Sequence, residues 1–179
     1  MAFKRFKREY RNFKRTGKVF NLDTTRSVGI IYVADNEETV SIIKKYVKYL
    51  KEDEGIKNIR TIGYYKRKEK KTPSFLTVRL EFDFLTRKDH IRNYRPTGNI
   101  AKNFAAEEFD VLLDFTFDKE LPLLHLLNQS NARFKVGVHA SDCVPYYDLM
   151  IINPANRSMT DLIDTMNTIL KKINKPHEA

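Results

Sequence analysis

Tryptophan is missing from this 179-residue chain, and cysteine occurs once, at Cys143. A single cysteine excludes an intramolecular disulfide and any all-cysteine metal site within one chain, and both exclusions fit a reducing compartment. Long apolar runs are missing too. The longest, around 109–117, is short and broken by Asp114, far from the roughly 20 apolar residues of a membrane-spanning helix. The first residues are charged, but no apolar stretch follows them, so no secretory signal is readable there. These features predict a cytoplasmic protein. Glycine-rich phosphate cradles are also missing. After the first strand-like run the chain reads ADNEE at 34–38, which is neither GxGxxG nor a P-loop. Glu37 and Glu38 would already answer the helix dipole at that point and repel a phosphate. The histidines at 90, 125, 139 and 177 stand at no metal-ligand spacing. There is no GxSxG element and no outstanding acid pair. No metal and no cofactor are expected.

What the chain has is a core and a lopsided charge. Hydrophobic residues make up 41%, with 12 Phe and 9 Tyr, enough for one domain with a single sizeable core. Of the net charge of +10, the first 18 residues supply +7, because eight cations face only Glu9. The body is close to neutral. Such asymmetry points to an acidic partner: nucleic acid, an anionic membrane surface or an acidic protein. The division expected is a basic amphipathic helical segment at 1–18 and a single α/β domain at 19–179.

Within the basic segment, Phe3, Phe6, Tyr10 and Phe13 recur at 3, 4 and 3, which places them on one helix face. Lys4, Arg5, Lys7, Arg8, Arg11, Lys14 and Arg15 fill the others. Gly17 is placed to end the helix. Three readings stay open for this helix. Its aromatic stripe docks on the protein's own sheet or on a second subunit of a homo-oligomer, or the segment holds phosphate backbones, or it lies on anionic lipid.

Strand and helix patterns then alternate. Residues 27–33 read as a buried strand, and Asp35 or Asn36 as the cap of a helix with Val40, Ile43, Val47 and Leu50 inward and Gly55 at its end. Residues 59–65, 75–85, 109–116, 134–138 and 147–152 read as strands, and 100–108, 121–130 and 160–173 as helices. The fold class predicted is α/β, a three-layer sandwich with a mostly parallel Rossmann-like or flavodoxin-like sheet and helices on both faces.

In such sheets ligands bind at the carboxyl ends of the strands. That rule picks out Asp35, Thr116, Asp118 and the run from His139 to Asp142; Asp114 lies inside its strand, and three readings stay open for it, the sheet edge, a polar network or a ligand-contacting carboxylate. Asp35 and Asp118 are also well placed as helix caps. Cys143, beside Val144 and Pro145, reads as a buried, inert thiol. The stretch 86–92, with Arg87 and Lys88, mixes donors and acids on a loop, either as an anion or partner site or as a self-paired surface.

The basic start, the strand–helix–strand opening, LTRKD at 85–89, FDVLLD at 109–114 and RFKVG at 133–137 resemble short bacterial proteins classed as a domain of unknown function. That resemblance covers most of the chain and implies no activity. Residues 109–139, with SNARFKVG at 130–137, are similar to the acceptor-side half of heptosyltransferase-like glycosyltransferases, which implies a Rossmann-like half-domain.

Two functions follow as expectations. The first is a non-catalytic binding or scaffold module whose basic helix recruits an acidic partner. The alternative is a small-molecule, transferase-like enzyme with its site at the strand carboxyl ends. There Asp114, Thr116, His139 and Asp142 are the catalytic candidates, with Arg87 and Lys88 gripping an anion. A polar pocket lined by several of these residues would favour the enzyme.

Overall fold

The computed structural model describes residues 2–11, 17–68, 71, 73–90, 92–152 and 156–173. Helix α1 (Ala2–Glu9) opens the chain; Phe13, Lys14 and Arg15 lie outside the described residues. The apolar run that follows forms β1 (Ser27–Val33). Asn36 starts α2 (Glu37–Glu52) by accepting the Thr39 N–H at 2.8 Å. Gly55, at φ +67°, turns the chain out of α2 and into β2 (Asn58–Tyr65). Then come β3 (Phe82–Thr86), α3 (Asn99–Ala106), β4 (Val111–Asp114), α4 (Leu121–Gln129), β5 (Phe134–Val138), β6 (Leu149–Ile151) and α5 (Met159–Lys172).

The strands form one sheet in the order β3-β2-β1-β4-β5-β6, and every pairing is parallel. This is the doubly wound Rossmann order, in which the chain runs outward from β1 to β3 and then returns to place β4 beside β1. Strand alternation feeds two cores. Val28, Ile30, Val111, Leu113 and Val136 pack under α2 and α5. Ile31 and Leu112 pack on the other face with Phe104 of α3, Leu127 of α4 and Phe6 of α1. The architecture is a three-layer α/β sandwich.

The strand expected at 75–85 is real only from Phe82 onward. Residues 79 and 82 bridge antiparallel, so the chain folds back on itself before it meets β2 at the Thr61–Phe82 register. The earlier part joins no strand: Leu76 is buried in the core and the Phe75 ring packs edge-on to Tyr65, while Val78 and Leu80 are exposed, Leu80 by 95%. Helix α1 stops at Glu9, and residues 12–16, which lead to the helix end expected at Gly17, lie outside the described residues. A Cβ on Gly17 would lie 2.2 Å from Asp148 Oδ1, so glycine is needed there for close passage.

One cation is built into the sheet. Lys135 of β5 is wholly buried, and its ammonium donates to the carbonyls of Leu127 at 2.5 Å and Ser130 at 2.9 Å. A positive charge at the carboxyl end of α4 complements the helix dipole.

Candidate functional site

The order of the strands puts a topological switch point between β1 and β4, where flanking loops diverge and leave a crevice. A cleft of about 470 Å³ opens there. Val33 at the end of β1, Phe115 and Phe117 after β4 and Ile42 of α2 give it apolar walls. Its polar lining includes Asp35, Lys66 and Glu120. Lys66, just past β2, reaches Glu120 Oε1 at 2.9 Å and Asp35 Oδ2 at 3.5 Å. The Glu120 hydrogen bond, with Asp35 assisting, raises the Lys66 pKa against the opposing effect of burial. Arg157, at the entrance to α5, pairs with Asp118 at 2.8 Å and lies over the Phe117 ring at 5.3 Å.

Neither Asp35 nor Asp118 caps a helix. Asn36 takes the cap position of α2, and Glu120 precedes α4 without a side-chain cap bond. One residue of chain decides the matter: Asn36 has the extended backbone of a cap (φ −152°, ψ 165°), which frees Asp35 to line the cleft.

None of Asp114, Thr116, His139 and Asp142 lines this cleft. Asp114 sits on the opposite face of the sheet, 1% exposed. Its Oδ1 accepts the Thr116 N–H at 2.9 Å and the Thr116 hydroxyl at 2.6 Å, and its Oδ2 accepts the Tyr147 hydroxyl at 2.6 Å. Burial pushes the Asp114 pKa up to about 6 despite these bonds from Thr116 and Tyr147. Burial also raises Tyr147 well above its ordinary value. Both carboxylate oxygens are occupied, so the trio acts as an internal brace between the end of β4 and the approach to β6. Gly137 makes room for it: a Cβ would fall 2.3 Å from the Tyr147 ring. Gly137→Ala should therefore displace Tyr147, break its bond to Asp114 and cost about 2 kcal/mol by overpacking, read as a lowered urea midpoint at unchanged slope.

Asp142 and His139 are exposed. Asp142 pairs with Lys119 and, at 3.4 Å, with Lys7 of α1; the Lys119 hydrogen bond and then Lys7 hold its pKa below the ordinary carboxylate value. Cys143 is buried, and burial pushes its thiol up to about 11, the opposite of an activated nucleophile. Arg87 and Lys88 project from a turn closed by Asp89, whose carboxylate accepts the Thr86 N–H and hydroxyl, both at 2.7 Å.

The basic helix has a defined seat. Phe6 is 1% exposed and meets the rings of His125 and Tyr146 edge-on at 4.9 and 5.2 Å. His125 Nε2 lies 3.0 Å from the Asn93 carbonyl. A carbonyl only accepts, so Nε2 carries the proton and Nδ1 accepts from the Tyr10 hydroxyl at 3.4 Å. Burial lowers the His125 pKa, which keeps this neutral form. Arg5 donates to Asn93 Oδ1 at 3.2 Å, and Arg95 pairs with Glu9. These bonds hold residues 93 and 94 in left-handed backbone, φ 67° and 63°, a conformation that is costly for Tyr94. Lys4, Arg5, Lys7, Arg8 and Arg11 remain exposed.

A family model, "Family of unknown function (DUF6913)", matches residues 1–173. The chain belongs to this family. The DUF6913 match runs from the basic segment through α5, so α1 and the sheet fall within one family unit. No curated protein and no solved structure matches the chain, so the similarity of 109–139 to heptosyltransferase-like enzymes has no support from either.

Sequence reasoning passed over His125, Asn93, Lys66 and Arg157. Lys66 was within reach of the strand-end rule, since it follows β2 directly. The other three depend on contacts made across 32 or more residues of chain, and no local pattern announces those.

Proposed function

We propose that this protein is a binding module that holds a nucleic-acid phosphate backbone along α1. The supporting observation is the orientation of α1. Its aromatic face is turned inward through Phe6, while Lys4, Arg5, Lys7, Arg8 and Arg11 face solvent on a rigid platform. Lys14 and Arg15 extend the charge along the chain. An interfacial lipid helix needs its apolar face for acyl chains, and here Phe6 is committed to the body. Tyr94, 42% exposed on the turn that α1 touches, offers a ring for base stacking. Arg87 and Lys88 add two further exposed cations to the module.

Fluorescence anisotropy with a short labelled oligonucleotide tests this. Affinity should fall steeply with salt, with each phosphate contact contributing a slope of about 0.7–0.9 in log–log form. The double variant Arg8→Glu, Arg11→Glu should bind at least about tenfold more weakly at low salt and flatten the slope by about 1.4–1.8. The proposal fails if the double variant binds like the parent. It fails equally if phosphatidylserine vesicles bind the protein and oligonucleotides do not.

A further inference from the structure

A binding surface made of cations alone favours the denser charge of a duplex, which carries one phosphate charge per about 1.7 Å of helix axis. The surface beside α1 also holds a ring that the fold itself has little use for. Tyr94 is 42% exposed and stands in left-handed backbone at φ 63°. That conformation is costly for tyrosine and free for glycine. With so much of the ring in solvent, burial returns little of the cost.

The ring is nevertheless firmly backed. An antiparallel bridge between His90 and Pro96, and the Thr97 N–H donating to the Asp89 carbonyl at 2.7 Å, close the loop that carries it. The His90 ring lies against Tyr94 at 5.3 Å between centroids, and His90 Nε2 is 3.3 Å from the Tyr64 hydroxyl. The preceding residue, Asn93, is bonded on its side chain by Arg5 and on its carbonyl by His125. An α1 cation is thus fixed next to the ring, and Arg87 and Lys88 are exposed at the turn that opens the same loop.

We infer, resting on the α1 reading above, that the nucleic acid held there is single-stranded, with one unpaired base stacked on the Tyr94 ring while phosphates of the same strand meet the α1 cations. The bases of a duplex are paired and stacked on one another, which closes their faces to an outside ring; a single strand can turn a base out. Every base has such a face, so the contact selects unpaired nucleic acid and not a sequence.

The test measures binding of the full chain, at low salt, to a labelled deoxyoligonucleotide of about 12 nucleotides, within the span of single-strand sites, and to the same sequence as a duplex. The single strand should bind more tightly, the reverse of what charge density dictates. Tyr94→Gly removes the ring and suits the left-handed backbone. It should bind the single strand at least about fivefold more weakly and the duplex unchanged. Since the chain has no tryptophan, Tyr94→Trp introduces a sole indole fluorophore, whose emission the single strand should quench saturably and the duplex should not. A thermal melt reports whether Tyr94→Gly is folded, and Tyr94→Trp, which keeps an aromatic ring, decides the matter if it is not. The inference is overturned if the duplex binds as tightly as the single strand, if folded Tyr94→Gly binds the single strand like the parent, or if saturating single strand leaves the Tyr94→Trp emission unchanged. Any of these results, together with weakened binding in the Arg8→Glu, Arg11→Glu variant, removes the role of Tyr94 and keeps the α1 reading. If neither oligonucleotide binds, the α1 reading falls and the role of Tyr94 with it.

Discussion

Phe6→Ala is expected to lower folding stability by about 3 kcal/mol, the low end for deleting a buried aromatic ring. The low end applies because α1 is a short peripheral helix that detaches rather than leaving a sealed void. Phe6 makes the central contact of that helix. Its ring is within 6 Å of Phe3, Tyr10, His125 and Tyr146, at centroid distances of 5.8, 4.9, 4.9 and 5.2 Å. The exposed pairs around it, such as Lys7 with Asp142, contribute little by themselves. For a chain of this length the melting temperature should fall by about 6–12 °C. A second readout identifies the cause. His125 titrates below 6.5 because it is buried under α1, so detachment should return its pKa toward that value in an NMR titration. A variant that melts lower while His125 keeps its depressed pKa would show that the helix stays seated and that Phe6 acts elsewhere.

The second large effect belongs to Asp114 and depends on pH. Its carboxyl holds a proton up to about pH 6 in the folded protein, against an ordinary value of 3.8. The folded state thus binds the proton more tightly than the unfolded chain. The stabilisation is complete below about pH 4 and is lost as pH rises through 6, a swing of about 3 kcal/mol. His125 works in the opposite direction, since its lowered pKa makes stability grow as pH rises toward 6.5. In Asp114→Asn the amide oxygen still accepts from Thr116, and the amide N–H₂ donates to the Tyr147 oxygen. This variant should gain up to about 3 kcal/mol over the parent at pH 7.5 and little or nothing at pH 4. Urea unfolding at the two pH values measures it. An equal difference at both would mean that Asp114 is ionised in the folded protein at pH 4.

The layers of this fold were readable because the core-facing periods are clean. The 27–33 run and the α2 face at Val40, Ile43, Val47 and Leu50 occupy the positions their spacing predicted. The parallel sheet followed from alternation of the two element types. Strand order was not readable, since the return from β3 to β4 across β1 leaves no local mark. The error at 75–85 has the same origin. Its alternation is real, but strand formation needs a partner, and the bridge between Arg79 and Phe82 turns the chain away before β2 is reached. The carboxyl-end rule pointed to Asp35 and Asp118, and both line the cleft; of the two caps offered for α2, Asn36 is the one used, and Asp118 is not the cap of α4, which Glu120 precedes. Asp114, Thr116, His139 and Asp142 share a sheet edge in sequence terms. In space they divide between a sealed brace and an exposed rim, because Asp114 closes β4 inside the sheet whereas His139 and Asp142 follow β5 in the chain beyond it.

The sheet's two borders bear on how the protein behaves in a crowded solution. An open border is a template on which a foreign strand can add. Here one border, β6, is only three residues long, and the other, β3, is five, with the chain folded back across its start at Arg79. A parallel sheet of six strands thus offers an incoming chain only a few consecutive backbone groups at either side. That brevity discourages end-to-end fibre growth without any help from the surface charge.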